Sequence, residues 1–312
     1  DNIFYLKSFR GVYEYVTSKY IFTSSSSLWQ IKSPFQIQFG LWHGIPLKTI
    51  LCMGESGIKA TRQAGNINMR FATSNLTKAL LSASFDYNAM KIKITGQPRT
   101  DCLLKDEKKL NEFLDIKNNR YKKVVLYMPT YRSGYRDKKD GKTISGDNIF
   151  RFNTYHHEKF INFLKENDIL FLMKLHPYEE KVYKDLVKGD NLFMVSHNDL
   201  LKKKLDIHEL LDGVDALITD YSSIYFDYLL LDKQIIFAPT DKDIYERERG
   251  FNLQPYDFWT PGAKVYSQEA LEEALLCEDM YIQERKAVRD IIHTYQDNNS
   301  CERVYSAVKQ YF

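Results

Sequence analysis

The sequence predicts an α/β protein with parallel, doubly wound sheets, and two observations predict this class. From about residue 122 onward, apolar runs of strand length alternate with amphipathic runs of helix length. Strands that are separated by helices pair in parallel, with helices on both faces of the sheet. At 312 residues, with 44% hydrophobic and 14% aromatic side chains, the chain has enough material for two cores.

Five strands are predicted in the second part of the chain. They are VVLYMP, ILFLMKLH, NLFMVS, ALIT and QIIFAP, at 124–129, 169–176, 191–196, 216–219 and 234–239. Helices are predicted between them at 156–167, 179–189, 206–214 and 222–232. Because ligands of doubly wound sheets bind beyond the carboxyl ends of the strands, we expect functional residues just after each strand.

Before residue 110 the strands are shorter: YIFTS, FQIQFG, MRFATS and KIKIT, with a helix at 75–85 between the last two. They predict a second α/β domain, which we expect to be truncated. The polar stretch 132–150 is predicted to be a mobile surface loop. We therefore expect an N-terminal domain at 1–110, a C-terminal domain at 111–265 and packing helices at 266–312.

Composition excludes several classes of protein. The 44 basic and 41 acidic residues leave a net charge of +3, which is not typical of a nucleic-acid-binding protein. Four scattered cysteines without a C-x-x-C pair argue against a zinc site or disulfide framework and favour a reducing, cytosolic compartment. No apolar run approaches the ~18 residues of a membrane span, and no signal peptide is evident. The first residue is Asp1, so we expect a fragment of a longer protein.

The first candidate cluster is LWHGIPLK, directly after the strand FQIQFG. An imidazole at a strand end, with a pKa near neutrality, can take a proton from a hydroxyl nucleophile, which makes His43 a candidate general base. Gly44 would let a substrate approach the backbone, and Lys48 would supply positive charge for a phosphate. The alternative is a loop histidine that packs on Trp42.

Two further clusters follow strands of the second domain. Pro177 ends the strand ILFLMKLH and fixes the direction of His176, although a simple strand terminator has the same sequence. After ALIT, Asp220 is followed by Ser222 and Ser223 at a predicted helix N-terminus, where N–H groups and hydroxyls suit a pyrophosphate. These residues could instead only cap the helix, and the sequence does not separate the two roles.

Arginines follow two more strands, in the motifs GQPRTD and PTYR. The guanidinium groups of Arg99 and Arg132 could bind phosphate oxygens in a bidentate manner. For Arg99, an inter-domain ion pair with Asp101 is an equal alternative. A last cluster contains Arg249, although its alternating charges are typical of a solvated helix face. The common nucleotide-binding and serine-hydrolase motifs and a D-x-D metal motif are absent from the sequence, so no metal or cofactor is predicted.

Taken in order, the motifs WHG-x-PLK, GxPRxD, PTYR, KLHP, TDYSS with FDY, and RGF resemble the CDP-glycerol glycerophosphotransferase family of wall teichoic acid and capsule synthesis. They extend from Trp42 to Phe251. The resemblance implies a GT-B-like fold, with two Rossmann-like doubly wound domains facing a cleft.

The resemblance also implies an activity, the transfer of glycerol phosphate from CDP-glycerol to the terminal hydroxyl of a lipid-linked polymer, with release of CMP. His43 would be the base, and His176 would stabilise charge on the leaving group. The implied donor-binding residues are Thr219, Asp220, Ser222, Ser223, Arg132 and Arg249. The implied acceptor or phosphate contacts are Gly44, Lys48 and Arg99.

The resemblance places the protein peripherally at the cytoplasmic face of the plasma membrane, although the membrane-docking helices of some family members are not evident in the sequence. Two other enzymes fit: the same transferase acting on CDP-ribitol, and a GT-B glycosyltransferase acting on a nucleotide-sugar. A non-enzymatic alternative is a module that binds anionic polymer or membrane through the lysines at 202–204 and the basic 132–143 loop. Primase and polymerase activities, and the oligomeric state, are not distinguished.

Overall fold

The computed structural model describes residues 4–25, 33–54, 66–105, 109–115, 121–131, 148–187 and 190–312. The chain divides into two compact units, residues 1–101 with 291–312 and residues 102–290. Arg132 and most of the stretch 132–150, for which a loop was predicted, lie outside the described residues.

The first unit contains a four-stranded parallel sheet in the order β1-β2-β3-β4. Its strands are β1 (Tyr20–Thr23), β2 (Ile37–Gly40), β3 (Met69–Ala72) and β4 (Ile92–Ile94). Its helices are α1 (Phe9–Thr17), α2 (Asn75–Phe85) and, from the end of the chain, α12 (Ser300–Val308). The described strands follow one another in chain order, so they contain no switch point.

The sheet of the first unit is covered on both faces, because successive strand residues alternate between them. Phe71 of β3 packs with Val304 and Val308 of α12 on one face. The next residue, Ala72, packs with Leu81 of α2 on the other. The C-terminal helix therefore belongs to the core of the first unit.

Two residues of the motif GQPRTD hold α12 in place. The Asp101 carboxylate accepts hydrogen bonds from the backbone N–H groups of Ser300 (2.9 Å) and Cys301 (2.7 Å), and so caps the helix. Gly96 has a φ of 79°, and a Cβ there would lie 2.4 Å from Ser300 Oγ. Only glycine fits both the backbone conformation and this close approach.

The second unit contains a six-stranded parallel sheet in the order β10-β9-β8-β5-β6-β7. The strands are β5 (Lys123–Tyr127), β6 (Ile169–Met173), β7 (Leu192–Met194), β8 (Ala216–Thr219), β9 (Gln234–Phe237) and β10 (Ala263–Lys264). The five predicted strands are confirmed, and β10, only two residues long, was not predicted. The α/β class with parallel sheets is likewise confirmed.

The helices of the second unit connect these strands and cover the sheet. They are α3 (Lys109–Leu114), α4 (His157–Glu166), α5 (Pro177–Tyr183), α6 (His197–Lys203), α7 (Ile224–Tyr228), α8 (Lys242–Arg249), α9 (Tyr256–Trp259), α10 (Gln268–Leu276) and α11 (Ile282–Ile292). Strand order reverses between β5 and β8, which makes this pair the switch point of a doubly wound sheet. A ligand is expected at the carboxyl ends of these two strands.

Candidate functional site

The carboxyl ends of β5 and β8 are hydrogen-bonded to each other. The backbone N–H of Met128, just after β5, donates to Ile218 O (3.0 Å), and the Thr219 hydroxyl donates to Met128 O (2.8 Å). Thr219 is completely buried. Its hydroxyl therefore connects the ends of β5 and β8 at the switch point.

Asp220 extends this connection beyond the sheet. Its Oδ1 accepts hydrogen bonds from the backbone N–H groups of Thr130 (2.8 Å), Tyr221 (2.5 Å) and Ser222 (3.2 Å). The side chain is buried. Asp220 thus joins the segment after β5 to the turn after β8. The N–H groups of Tyr221 and Ser222, which the sequence suggested would bind an anionic ligand, donate instead to this carboxylate.

Ser222 and Ser223 have a different environment from Thr219 and Asp220. Both are partly exposed, and Ser223 is the N-cap residue of α7 without a capping hydrogen bond from its side chain. Among the described residues, neither hydroxyl has a hydrogen-bond partner. Because α7 is only five residues long, the serine hydroxyls, more than a helix dipole, are the groups here that could bind a phosphate.

His176 follows β6, the strand next to β5, and the structure brings it against Tyr131 of the motif PTYR. Its ring stacks on Tyr131, with centroids 3.9 Å apart and planes at 16°. Partial burial lowers the pKa of His176, and the nearby Lys174 ammonium lowers it further, while Glu180 opposes both. A neutral His176 has one N–H to donate to a phosphate oxygen. The stacking role of Tyr131 was not predicted, although the residue lies within a recognised motif.

The helix α8 contacts the turn after β8 through its aromatic side chain. Tyr245 stacks on Tyr221, with centroids 4.2 Å apart, and Tyr221 Oη donates to Asp241 Oδ1 (3.0 Å). Arg249, the last residue of α8, is exposed and is followed by Gly250 with a φ of 70°. These contacts place Tyr245 against the turn.

The second candidate site, in the first unit, is the loop after β2. Trp42 has a φ of 60°, a left-handed conformation that costs a bulky residue about 1–3 kcal/mol. Its ring packs on Phe85, with centroids 5.0 Å apart, and on His43, with centroids 4.0 Å apart. The surrounding contacts hold this strained conformation, as is common at functional sites.

The tautomer of His43 follows from one hydrogen bond. Nδ1 lies 2.7 Å from Ser24 O, and because a carbonyl oxygen only accepts, Nδ1 carries the proton. The lone pair of the neutral ring is then on Nε2, which has no hydrogen-bond partner in the described part of the chain. His43 is exposed. The histidine both packs on Trp42 and presents a basic nitrogen, and nothing in the sequence indicated the contribution of Ser24.

Electrostatics also favour a neutral His43. Although part of the side chain reaches solvent, packing on Trp42 partly desolvates the ring and lowers the pKa of His43 below the ordinary 6.5. The positive charges of Arg99 and Lys48 lower it further, and the hydrogen bond to Ser24 opposes these effects. Arg99 Nη1 also donates to Trp42 O (3.3 Å) and to Gln97 Oε1 (3.2 Å). Arg99 therefore supports the loop that carries His43, while Asp101 caps α12. Gly44 and Lys48, in the same loop, are partly exposed.

The lysines at 202–204, suggested as a binding surface, include one with a structural role. Lys203 Nζ donates to Phe113 O (2.8 Å) and pairs with Asp115 (3.0 Å) at the end of α3. The 132–143 loop of the same hypothesis lies mostly outside the described residues. Within the described ranges, no group of three or more His, Cys, Asp or Glu side chains could hold a metal ion.

The model of the CDP-glycerol:poly(glycerophosphate) glycerophosphotransferase family matches residues 1–310. The chain belongs to this family. Among curated relatives, the teichoic acid ribitol-phosphate polymerase TarL of Staphylococcus aureus is 27% identical over 276 residues, which are 85% of this chain and 46% of TarL. The teichoic acid glycerol-phosphate transferase of the same organism is 27% identical over 305 residues, 90% of this chain and 73% of that protein.

This glycerophosphotransferase-family chain spans about half the length of the first three curated relatives that it matches, 46%, 52% and 47%. Among solved structures, a histidine variant of the wall teichoic acid polymerase TagF soaked with CDPG has a TM-score of 0.77 at 21% identity, covering 97% of this chain and 75% of TagF. A Listeria monocytogenes protein assigned as a UDP-N-acetylglucosamine 2-epimerase has a TM-score of 0.53 at 11% identity, covering 94% and 72%. These likenesses show a GT-B-like fold.

Proposed function

We propose that this protein transfers glycerol phosphate from CDP-glycerol to the terminal hydroxyl of a polyol-phosphate polymer of the teichoic acid or capsule type, and releases CMP. The observation that carries the proposal is the state of His43. Its Nδ1 is hydrogen-bonded to Ser24 O, its pKa is lowered, and Nε2 presents a lone pair to solvent. An imidazole in this state is suited to accept a proton from an attacking hydroxyl.

The proposed reaction is a substitution at the β-phosphorus of CDP-glycerol. The acceptor hydroxyl loses its proton to His43 Nε2, and its oxygen forms a bond to this phosphorus. The bond from the phosphorus to the bridging oxygen breaks, and CMP leaves with that oxygen. The N–H of His176 stabilises the developing charge on the leaving phosphate.

The other predicted residues are proposed to bind or to position. Ser222 and Ser223 donate their hydroxyls to donor phosphate oxygens, and Thr219 and Asp220 hold the strand ends that carry them. Arg249 remains a proposed donor contact. Arg132 is also a proposed donor contact, and this proposal rests on its sequence motif PTYR. The proposed contacts to acceptor or phosphate are Gly44, Lys48 and Arg99.

The nearest alternative is the same reaction with CDP-ribitol, which is favoured by relatives named as ribitol-phosphate polymerases. Labelled CDP-glycerol, CDP-ribitol and a UDP-sugar, each offered with a polyol-phosphate acceptor, distinguish these possibilities. We expect label to enter polymer from CDP-glycerol with equimolar release of CMP. Preference for CDP-ribitol would change the substrate only, whereas transfer from the UDP-sugar alone would contradict the proposed reaction.

The lowered pKa of His43 predicts the pH dependence of the reaction. A base must be neutral to act, so activity should fall at acidic pH with a midpoint below the ordinary histidine pKa of 6.5. The variant Lys48→Met removes a positive charge that disfavours the imidazolium, so the pKa of His43 rises and the acidic limb moves to higher pH. Rate profiles from pH 5 to pH 8 measure this shift.

The matched control is Lys93→Met, which removes an exposed lysine from the same unit. Its acidic limb should coincide with that of the unaltered protein. An acidic limb that stays in place in Lys48→Met, or moves to lower pH, would show that His43 is not the titrating base.

We also propose a peripheral contact with the cytoplasmic face of the membrane, through α1. In the described ranges no helix has the length and apolarity of a membrane span. The apolar side chains of α1 at helical spacing face solvent: Phe9, Val12, Tyr13 and Val16 are 100%, 50%, 58% and 41% exposed. Two basic residues are exposed at its N-terminal end: Lys7 lies just before the helix, and Arg10, in its first turn, also pairs with Glu14 (2.7 Å). An exposed apolar helix face with basic side chains beside it suits an anionic lipid surface.

The double variant Phe9→Ser/Val16→Ser tests this contact. Burial of one such side chain contributes about 1.5–3 kcal/mol when complete, so vesicle binding should weaken about tenfold or more. Co-sedimentation with phosphatidylglycerol and phosphatidylcholine vesicles gives the affinity and its dependence on lipid charge. Met90→Ser, which alters a side chain that is 79% exposed elsewhere in the unit, is the control. Equal binding of all three proteins would exclude α1 as the contact.

A further inference from the structure

A buried ion pair joins Arg151 and Glu179 in the second unit. Arg151 Nη2 lies 2.8 Å from Glu179 Oε1, and the two side chains are only 7% and 4% exposed. Burial of two charges is costly, and apolar side chains of similar volume often give equal or greater stability. Stability alone therefore does not explain this pair, which suits a role in placing other groups.

Glu179 belongs to the helical turn that begins at His176. Its backbone N–H donates to His176 O (2.8 Å), and the N–H of Glu180 donates to the same oxygen (3.0 Å). The orientation of this first turn of α5 therefore sets the position of the His176 backbone. Any contact that fixes the turn also fixes the backbone position from which the imidazole extends.

Arg151 lies on a segment that is anchored to the core near β5. Its neighbours Ile149 and Phe150 are buried, and Tyr127 Oη of β5 donates to Ile149 O (2.9 Å). Arg151 itself has a φ of 59°, which a residue other than glycine adopts only when its surroundings hold it there. The ion pair thus connects the turn of His176 to a firmly held part of the unit.

A second ion pair fixes the same turn from another direction. Lys174 Nζ lies 2.8 Å from Glu180 Oε1, and Glu180 also accepts from the backbone N–H of His197 (3.1 Å). Together with the stack of His176 on Tyr131, these contacts restrict both the backbone and the ring of the histidine.

We propose that the Arg151–Glu179 pair is a positioning device for His176, and that Arg151 and Glu179 are further positioning residues of the transfer reaction. This inference rests on the proposed function, in which His176 donates a hydrogen bond to the leaving phosphate. A donor displaced by about 1 Å can lose ~100-fold in rate. Breaking the pair therefore lowers kcat, while the affinity for the donor, which depends on other groups, changes little.

The first test compares Glu179→Gln and Arg151→Met with Glu269→Gln. The control breaks an exposed ion pair of the same unit, Lys159–Glu269, whose side chains are 51% and 68% exposed. We expect kcat to fall about 10- to 100-fold in the first two variants with little change in KM for CDP-glycerol, and no change in the control. Unaltered kcat in both variants would overturn the proposal.

A double-mutant cycle separates positioning from a general structural effect. In a His176→Ala background, Glu179→Gln should cause no further loss, because its effect passes through the missing imidazole. Losses that multiply in the double variant would show that the pair acts independently of His176. Arg151→Lys keeps the charge opposite Glu179. It provides a second variant if Arg151→Met fails to fold, and its rate should be higher than that of Arg151→Met.

A measurement that needs no activity distinguishes this inference from the proposed function. In protein with ¹³C-labelled histidine, the His176 ring signal is assigned by its absence from His176→Ala. Glu179→Gln should shift or broaden this signal, and Glu269→Gln should not. An unchanged signal overturns the positioning role. A changed signal in a protein that does not transfer glycerol phosphate would retain the positioning role and reject the proposed reaction.

Discussion

Replacement of His43 by alanine is expected to lower the rate of glycerol phosphate transfer by about 10²- to 10⁴-fold, the range typical of a general base. Donor affinity should change little, because the proposed donor-binding groups lie in the other unit. Steady-state release of CMP gives the rate, and calorimetry with CDP-glycerol gives the affinity. Imidazole added to the buffer should restore part of the activity, since it can supply the missing base.

The control for His43 is His197→Ala, which removes an exposed imidazole on α6 and keeps the backbone N–H that donates to Glu180. This variant should retain full activity. Full activity in His43→Ala, or a loss that appears only in donor affinity, would exclude His43 as the base.

Replacement of His176 is the second change with a large expected effect. Loss of one preorganised hydrogen-bond donor to a developing negative charge typically lowers kcat by about 10²- to 10³-fold. Two variants separate the hydrogen bond from the stack on Tyr131: His176→Ala removes both, and His176→Phe keeps an aromatic ring. We expect kcat to fall by this factor in both, measured as CMP release at saturating donor.

Substantial activity in His176→Phe would show that the ring contributes only by packing on Tyr131. Loss of donor binding without loss of kcat would show that His176 contributes to the affinity for CDP-glycerol and does not stabilise the leaving group. Thermal unfolding of both variants provides the control for folding.

Much of the fold could be predicted because most of its strands and helices have recognisable patterns in short stretches of sequence. The strands of the second unit are short apolar runs bounded by polar residues, and the helix at 75–85 has the predicted limits. The two-residue strand β10 carries too few residues for a pattern. Attachment of α12 to the first unit depends on contacts of Gly96 and Asp101 with Ser300, about two hundred residues later in the chain. Contacts over this separation leave no local pattern in the sequence.

The motifs of the candidate site could be predicted from the sequence. Which residues of each motif contact one another could not be predicted. Asp220 follows a strand in the sequence, but its bond to Thr130 N joins two strand ends that are 90 residues apart. The ion pair between Arg151 and Glu179 is likewise non-local. The exposure of the apolar side of α1 could not be predicted from the sequence, because helical periodicity shows an apolar face without showing which way that face points.

The central claim is attack on phosphorus by an acceptor hydroxyl, and the fate of one phosphate tests it most directly. CDP-glycerol that carries ³²P in the phosphate next to glycerol is incubated with the protein and a polyol-phosphate acceptor. We predict that the label enters the polymer and that the nucleotide product is unlabelled CMP. Recovery of the label in CDP would mean that the bond from glycerol to its phosphate breaks instead, and would contradict the proposed transfer of glycerol phosphate.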